Sequence, residues 1–208
     1  MYSANIKKLG VIHRGFSTYS KTKFRNNPEW QIPIELQNKF PDLPLICDPS
    51  HICGRRDIIE ETSQKALDLN FDGLMIETHN DPDNAWSDAS QQITPKTLIK
   101  IMKDLVIRKE SVQERSFIRE LENLRVKIDD ADSQILDILG DRMKVSDEIC
   151  KIKKKQNVAI LQSERWKNIL KKMISDGKQR GLSEDFILKI FKAIHQESIN
   201  HQEKILKN

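Results

Sequence analysis

The fold of the second half of the chain is decided by the stretch LRVKIDDADSQILDILGDR, Leu124–Arg142. Apolar residues recur in and around it at alternating steps of four and three, the spacing of a heptad seam on one helix face. The members of this seam are Phe117, Leu121, Leu124, Ile128, Ala131, Ile135, Ile138, Val145, Ile149 and Ile152. The pattern predicts one helix from Val112 to Lys155, roughly 60 Å long. Such a helix must bury its seam, most simply against a second copy of the chain.

Two more helices are predicted after the long one. The first covers Ser163–Lys178, and either Gly177 or Gly181 can close it. The second has Ser183 as its N-cap and continues to about Leu206. Since no proline occurs after residue 108, the pattern indicates an all-α domain of three helices.

One charged residue, Arg142, interrupts the apolar seam. Lys153 lies eleven residues later and therefore returns to within about 20° of the same helix face. The third helix places Ser198 and Gln202 at positions that its period assigns to the core, and the second helix carries Arg165. Cationic and amide groups on the inner faces of three helices predict a positively charged pocket for a small dianion.

Simpler interpretations of the same residues remain open. Arg142 can pair with a carboxylate such as Asp132 or Glu148 and only fix the register of the helices. Ser198 and Gln202 can form ordinary hydrogen bonds between helices. On that interpretation the helical part is a plain coiled-coil dimerisation module.

The first part of the chain has a different character, because all seven prolines precede residue 108. Short apolar runs alternate there with amphipathic stretches, which indicates a parallel α/β sheet with polar residues just after its strands. The predicted strands are Leu9–His13, Leu43–Cys47 and Gly73–Glu77, and the predicted helices are Trp30–Lys39, Asp57–Leu69 and Thr94–Val106. We place the boundary within 107–115, which gives domains of 1–107 and 108–208.

Bulk composition narrows the class of protein. The chain has 208 residues, of which 38% are hydrophobic and 32% charged, and a net charge of +4. This mild charge favours small anionic substrates and argues against nucleic acid as a partner. No apolar run suits a membrane span, and no signal peptide is recognisable. Cys47, Cys53 and Cys150 lack metal-type spacing, so a reduced, cytoplasmic protein is expected.

The helical part resembles the all-helical chorismate mutases, which are intertwined dimers of three-helix chains. The resemblance covers Leu124 to Gln202 and is carried by LRVKIDDADSQILDILGDR, by ILQSERW (Ile160–Trp166) and by ESINHQ (Glu197–Gln202). It implies the Claisen rearrangement of chorismate to prephenate in aromatic amino-acid biosynthesis. That reaction is intramolecular and requires no cofactor, since confinement and well-placed hydrogen-bond donors suffice.

The same resemblance implies roles for the polar residues of the pocket. Arg142 and Arg125 hold the two carboxylates of chorismate, with Arg125 supplied by the partner subunit. Lys153 and Gln202 donate hydrogen bonds to the ether oxygen of the breaking bond.

Four more positions complete the implied mutase site. Ser198 and Arg165 help to hold the substrate. Gln162 and Trp166 occupy positions that usually contact the substrate hydroxyl. Many family members carry an acidic residue where this chain has Trp166, and some have Asp where it has Gln162.

The first part resembles 3-deoxy-7-phosphoheptulonate (DAHP) synthase, a metal-dependent (β/α)8 barrel that condenses phosphoenolpyruvate with erythrose 4-phosphate. The motifs that carry this resemblance are IHRGFSTY (Ile12–Tyr19), CDPSHICGRRD (Cys47–Asp57), GLMIETH (Gly73–His79) and WSDASQQ (Trp86–Gln92). It implies a partial barrel of about three βα units, corresponding to strands 6–8.

The synthase resemblance also implies a metal site. His51, Glu77 and Asp88 are the implied ligands of a divalent Mn, Fe, Co or Zn ion, and Arg14 is the implied phosphate contact. A loop-capping role is the simpler interpretation for any one of these ligands taken alone. A fourth ligand, a cysteine near the first strands of the barrel, has no counterpart in the sequence.

Three functional hypotheses follow. The leading one is chorismate mutase activity joined to a remnant of the synthase, because three βα units cannot close an eight-stranded barrel. The second is a complete synthase assembled with a separate N-terminal chain. The third is a non-catalytic domain that senses prephenate and regulates a synthase.

Overall fold

The computed structural model describes residues 6, 8–19, 22–109 and 113–207. Contacts divide the chain into two compact units, 1–112 and 113–208, each described here by itself. Two predictions concern residues that lie partly outside the described ranges. The first is the start of the long helix at Val112, and the second is the expected lack of a signal peptide at the start of the chain.

A three-stranded parallel sheet organises the first unit. Its strands are β1 (Val11–His13), β2 (Leu45–Cys47) and β3 (Gly73–Leu74), in the order β1-β2-β3. His13 pairs with Cys47, and Cys47 pairs with Leu74. Because the strands are parallel, their carboxyl ends lie at one edge. The polar segments that follow them therefore meet there.

Helices flank this sheet as the alternating pattern predicts. They are α1 (Gln31–Lys39), α2 (Pro49–Cys53), α3 (Ile59–Asp68) and α4 (Pro95–Asp104), with 3₁₀ turns at Arg56–Ile58 and Pro82–Asn84. Thr94 caps α4, since its Oγ1 accepts a hydrogen bond from the Thr97 amide at 3.1 Å. The predicted start of α3 at Asp57 is wrong, because that residue lies in the preceding 3₁₀ turn. The short helix α2 was not predicted.

The third strand is shorter than predicted, ending at Leu74 instead of Glu77. Beyond Leu74 the chain stays close to β2, but its backbone amides form hydrogen bonds that are not part of a regular strand ladder. The Met75 amide donates to the Cys47 carbonyl at 2.7 Å, and the Glu77 amide donates to Ser50 Oγ at 2.9 Å. A side chain thus takes the place of a neighbouring strand, and this holds Glu77 close to α2.

The core of the first unit is formed by the strands and the inner faces of the helices. Its buried apolar residues are Leu45, Cys47, Ile52, Cys53, Ile59, Ala66, Phe71, Ile93 and Ile101. Strand β2 lies between its two neighbours and contributes the buried residues Leu45 and Cys47 to this core.

Three helices make up the second unit: α5 (Arg115–Lys155), α6 (Ser163–Gln179) and α7 (Glu184–Lys207). The predicted cap of α7 is present, because Ser183 Oγ accepts from the Phe186 amide at 3.3 Å. Gly181 closes α6 in the left-handed region, with φ of 75°. Gly177 lies inside α6, where its missing side chain makes room for Ile187.

Helix α7 packs against both α5 and α6. The residues that become buried are few and mostly small or polar: Ser146, Cys150, Gly177, Ile187, Ser198 and Gln202. The predicted apolar seam of α5 stays largely exposed within one chain, as Ile128 (60%), Ile138 (67%) and Ile152 (64%) illustrate. No helix in the described part of the chain is long and apolar enough to cross a membrane.

Candidate active site and candidate metal centre

A cavity of about 270 Å³ opens between the three helices of the second unit. Helix α5 provides one wall, the start of α6 a second, and α7 a third. The residues that line it are Arg142, Val145, Ser146, Ile149, Lys153, Ile160, Gln162, Arg165, Trp166, Ile169, His195, Ser198, Ile199 and Gln202. Seven of the eight side chains predicted for a mutase site are in this lining, and Arg125 is the exception.

Arg142 lies half-buried in the α5 wall. Its Nη1 donates a hydrogen bond to Ser198 Oγ at 2.5 Å, and Ser198 in turn donates to the Ile194 carbonyl at 2.9 Å. None of the ion pairs between described residues includes Arg142. The interpretation of Arg142 as one half of a register-fixing ion pair is therefore wrong for the single chain. Burial lowers the pKa of Arg142, and the guanidinium faces the cavity with bonding capacity to spare.

Two more cations lie on the cavity wall. The Lys153 ammonium donates to the Ile160 carbonyl at 2.6 Å, which ties the end of α5 to the loop before α6. Arg165 contributes a guanidinium from the first turn of α6. No carboxylate is among the lining residues. The cavity therefore presents three positive charges without a negative side chain in its lining.

Gln202 is the buried amide of the cavity. Its Nε2 donates to Ser146 Oγ at 2.7 Å, whereas its Oε1 is buried and has no partner among the described residues. An unpaired buried polar atom costs about 1–3 kcal/mol. Exchanging the two ends of the amide lets Ser146 donate to the oxygen and frees the NH₂ group for a ligand. Ser146 was missed in the sequence, although it lies one turn beyond Arg142.

An aromatic pair joins the α6 and α7 walls of the cavity. Trp166 and His195 stack with ring centroids 3.9 Å apart and planes 9° from parallel. His195 was also missed, yet its spacing of three and seven residues from Ser198 and Gln202 places it on the same face of α7. Gln162 is the residue before α6, and its side chain makes no capping bond.

Arg125 lies away from the cavity of its own chain. It is exposed on α5, and the separation of seventeen residues corresponds to about 25 Å along the helix from Arg142. Among the predicted mutase residues it is the one that the single chain does not bring to the others.

The first unit gathers its predicted metal ligands at the carboxyl edge of the sheet. Suitable ligand atoms of His51, Glu77 and Asp88 all lie within 4.8 Å of one another. His51 Nε2 is 3.6 Å from a Glu77 oxygen and 3.8 Å from an Asp88 oxygen. Two ligands about 2.1 Å from one ion lie at most about 4.2 Å apart, so both of these distances fit a shared metal. One imidazole nitrogen and two carboxylates suit a divalent transition metal.

A second layer of side chains orients these three ligands. The buried Asp48 carboxylate accepts a hydrogen bond from Nδ1 of His51 at 2.7 Å. This bond directs Nε2, the other ring nitrogen, toward the carboxylates of Glu77 and Asp88. Gln91 donates to Glu77 at 2.7 Å. Arg25 donates to Asp88 at 2.8 Å, and this hydrogen bond is the main reason why the pKa of Asp88 is lowered.

Arg14 joins the same cluster through Asp48. Its Nε lies 3.3 Å from the Asp48 carboxylate that also holds His51. Neither Cys47 nor Cys53 belongs to the cluster. Burial raises the pKa of both thiols, that of Cys53 to about 11.

Comparison with known families separates the two units in the same way. Residues 1–114, more than half of the chain, match the model of the DAHP synthetase I family. The chain belongs to the DAHP synthetase I family. Residues 124–203 match the model of chorismate mutase type II. Both resemblances recognised in the sequence are thereby confirmed.

Curated relatives of this DAHP synthetase family member match one unit each. A phospho-2-dehydro-3-deoxyheptonate aldolase of Thermotoga maritima is 33% identical over 101 residues, covering 47% of this chain and 29% of the relative. A bifunctional chorismate mutase/prephenate dehydratase of Buchnera aphidicola is 35% identical over 83 residues, covering 40% of this chain and 22% of the relative. The chain thus spans less than a third of either relative.

A solved structure matches part of the chain. It is a truncated form of 3-deoxy-D-arabino-heptulosonate 7-phosphate synthase from Thermotoga maritima, with 30% identity and a TM-score of 0.45. The match covers 50% of this chain and 39% of that chain.

Proposed function

We propose that the helical unit binds chorismate in its cavity and converts it to prephenate. The observation that carries this proposal is the cavity lining, which holds Arg142, Lys153 and Arg165 but no carboxylate. Chorismate carries two carboxylates, and placing such a dianion among three cations satisfies charges that the protein leaves unpaired. The match of residues 124–203 to chorismate mutase type II supports the same substrate.

The proposed mechanism requires no group that takes or gives a proton. Arg142, steadied by Ser198, holds one carboxylate, and Arg165 assists. As the ether bond breaks and the new carbon–carbon bond forms, negative charge develops on the ether oxygen. Lys153 and the NH₂ group of Gln202 donate to that oxygen, and this stabilises the transition state more than the ground state.

We further propose that two copies of the helical unit form the complete sites. The exposed seam of α5 supplies an apolar surface that a second α5 can cover. Arg125 would then reach the cavity of the partner and hold the second carboxylate. A site built from both chains accounts for the distance of Arg125, a residue that the resemblance assigns to the site, which lies about 25 Å along the helix from Arg142.

The test of the proposed function uses two glutamines of α7. Gln202→Ala removes the amide from the cavity, and Gln196→Ala removes one that bonds Asn200 outside the lining. With chorismate as substrate, we expect the purified chain to form prephenate and Gln202→Ala to lower kcat about 10²- to 10³-fold, as for the loss of an oxyanion-hole donor. Gln196→Ala should match the unaltered chain. Absence of turnover would contradict the proposal, as would equal activity of all three proteins.

For the first unit we propose that His51, Glu77 and Asp88 hold a divalent metal, with Mn, Fe, Co and Zn as candidates. A bound ion of this kind polarises a carbonyl or phosphoryl oxygen. Arg14, whose Nε lies 3.3 Å from the Asp48 carboxylate, is the residue that we propose as the phosphate contact. Condensation of phosphoenolpyruvate with erythrose 4-phosphate is not assigned to this chain alone, because three parallel strands form an open sheet and not a closed barrel.

Two alternatives remain within the proposal. If a second chain supplies the missing strands, mixing the two should produce metal-dependent condensation. If the helical unit only senses prephenate, prephenate should bind while chorismate is not turned over.

We also expect the two units, divided near residue 107, to be separate domains of a cytoplasmic protein. Three free, buried thiols are compatible with that location.

A further inference from the structure

The Trp166–His195 stack lines the cavity, and the proposed chorismate mutase mechanism assigns no role to either ring. Its two rings are nearly parallel at 3.9 Å, and they come from different helices, α6 and α7. Flat contact with the indole leaves the edge of the imidazole, with its two nitrogens, as the part able to bond. Both rings are half-buried and belong to the lining.

The nitrogens of His195 form no hydrogen bond with any described residue. This distinguishes it from the other histidine of the helical unit, His201, which contacts Asp147 and Glu197. A ring nitrogen at a cavity wall that lacks a protein partner is available to a ligand.

The cavity is rich in donors, and the side-chain acceptors in its lining that lack a partner among the described residues are the amide oxygens of Gln162 and Gln202 and the imidazole of His195. Gln202 turns its oxygen to Ser146 when its NH₂ group serves the ether oxygen, and Gln162 is exposed before the first turn of α6, which leaves His195 as the half-buried acceptor. Arg142, Lys153 and Arg165 can only donate hydrogen bonds. Ser198 already accepts from Arg142, and Ser146 is already bonded to Gln202. A ligand hydroxyl needs an acceptor for its hydrogen, and a neutral imidazole offers one.

The surroundings of His195 keep it neutral. Burial first, and then the positive charge of Arg142, lower the pKa of His195 below its ordinary value of 6.5. The titratable groups that line the same cavity are Arg142 and Lys153 from α5 and Arg165 from α6, and α7 adds none besides His195. All of these neighbours are cations, and none favours protonation of the imidazole.

We propose that His195 is a substrate-binding residue that accepts a hydrogen bond from the ring hydroxyl of chorismate, with Trp166 as the positioning residue that fixes its ring plane. The inference rests on the proposed function, since it requires chorismate in the cavity. It also explains the absence of an acidic residue at Trp166. In this chain the indole of Trp166 positions the imidazole of His195 on α7 as the hydrogen-bond acceptor. A carboxylate beside the three cations is therefore not needed for that contact.

The experiment pairs a protein change with a substrate change. His195→Phe keeps a flat ring against Trp166 and removes both nitrogens, and His201→Phe is the matched control on the same helix. We expect His195→Phe to lower kcat/KM for chorismate about tenfold, the effect of one lost hydrogen bond, mainly through KM. A chorismate analogue with hydrogen in place of the hydroxyl, measured as a competitor, should bind His195→Phe and the unaltered chain equally well.

The pH dependence provides an independent measurement. Neutral His195 is the accepting form, so kcat/KM of the unaltered chain should fall as the pH drops through the pKa of His195, below 6.5. His195→Phe should lack that step, and His201→Phe should retain it.

The outcomes separate the two proposals. If the unaltered chain does not turn over chorismate, the proposed function itself fails. If it does, two results would overturn the role of His195 alone: unchanged kinetics of His195→Phe, or an equal loss of affinity for the analogue that lacks the hydroxyl.

Discussion

At the scale of single residues, helical periodicity explains which polar side chains share one face of a helix. Arg142 and Lys153 share a face because eleven residues make almost three full turns. The same arithmetic argues against the ion pair considered for Arg142, since Glu148 is six residues on and about 240° around the helix. The sequence does not single out His195, because it lies beside Ile194 at the edge of the apolar stripe of α7 and interrupts no apolar position. Its stacking on Trp166 depends on how α6 meets α7, which periodicity does not encode.

A pair of glycines tests how tightly α6 and α7 pack. A Cβ on Gly177 would lie 2.6 Å from Ile187 Cγ1, whereas a Cβ on Gly140 of α5 would meet nothing within 4 Å. Gly177→Ala should therefore destabilise the helical unit by about 1–3 kcal/mol through overpacking. Gly140→Ala should leave stability unchanged or raise it by up to about 1 kcal/mol, the difference in helix propensity. Urea unfolding measures both, and equal stability of the two variants would show that α7 can shift without cost.

At the scale of elements, the long helix shows what sequence patterning resolves well and what it leaves out. A seam repeated over 36 residues, from Phe117 to Ile152, predicts a helix firmly. The short third strand was harder, because its continuation is held by Ser50 and by Ile93, far apart in sequence. Local pattern identifies an apolar run, but only tertiary contacts decide where strand pairing ends.

The seam of α5 leads to a prediction about assembly. Ile138→Lys places a charge in the seam, and Ser133→Lys adds the same charge on roughly the opposite side of the helix. If two α5 helices cover each other, only the first change should convert a dimer to a monomer in analytical ultracentrifugation, because burying an unpaired ammonium is costly. It should also reduce prephenate formation, since Arg125 is then lost from the site.

Complementation provides the matching functional control. Arg125→Ala and Arg142→Ala should each be inactive, but mixed dimers of the two contain one intact site. An equal mixture should then recover about a quarter of the full activity, as expected for a two-fold symmetric dimer. No recovery after subunit exchange would contradict a shared site.

At the scale of the whole molecule, the two units carry their candidate sites separately. The first brings its candidate metal ligands together at the carboxyl edge of a parallel sheet, an arrangement that the alternation of strands and helices predicts. The second unit brings Arg142 and Lys153 to one cavity because the helical repeat places them on the same face of α5. The sequence motifs indicated which residues belong to each site. The supporting contacts of Asp48, Gln91 and Arg25 around the metal ligands were not evident, because they join segments far apart in the chain.

Metal-linked stability tests this separation. Mn²⁺ at one hundred times its Kd should stabilise the first unit by about 2.7 kcal/mol, and the calorimetric transition of the helical unit should not move. His51→Ala should abolish the shift. His79→Ala, which alters a histidine bonded to Asp81 within its own loop, should preserve it. A shift that survives His51→Ala would place the ion elsewhere.

The cations of the helical cavity also bear on how the proposed reaction cycle ends. Under the proposed function, chorismate and prephenate carry the same two carboxylates, so ion pairs to Arg142 and Arg165 hold product as firmly as substrate. Uniform binding of this kind lowers KM without raising kcat. The escape of prephenate then competes with chemistry as the slow step. Added salt, which screens the ion pairs, should shorten the residence time of the product even as it weakens capture of the substrate.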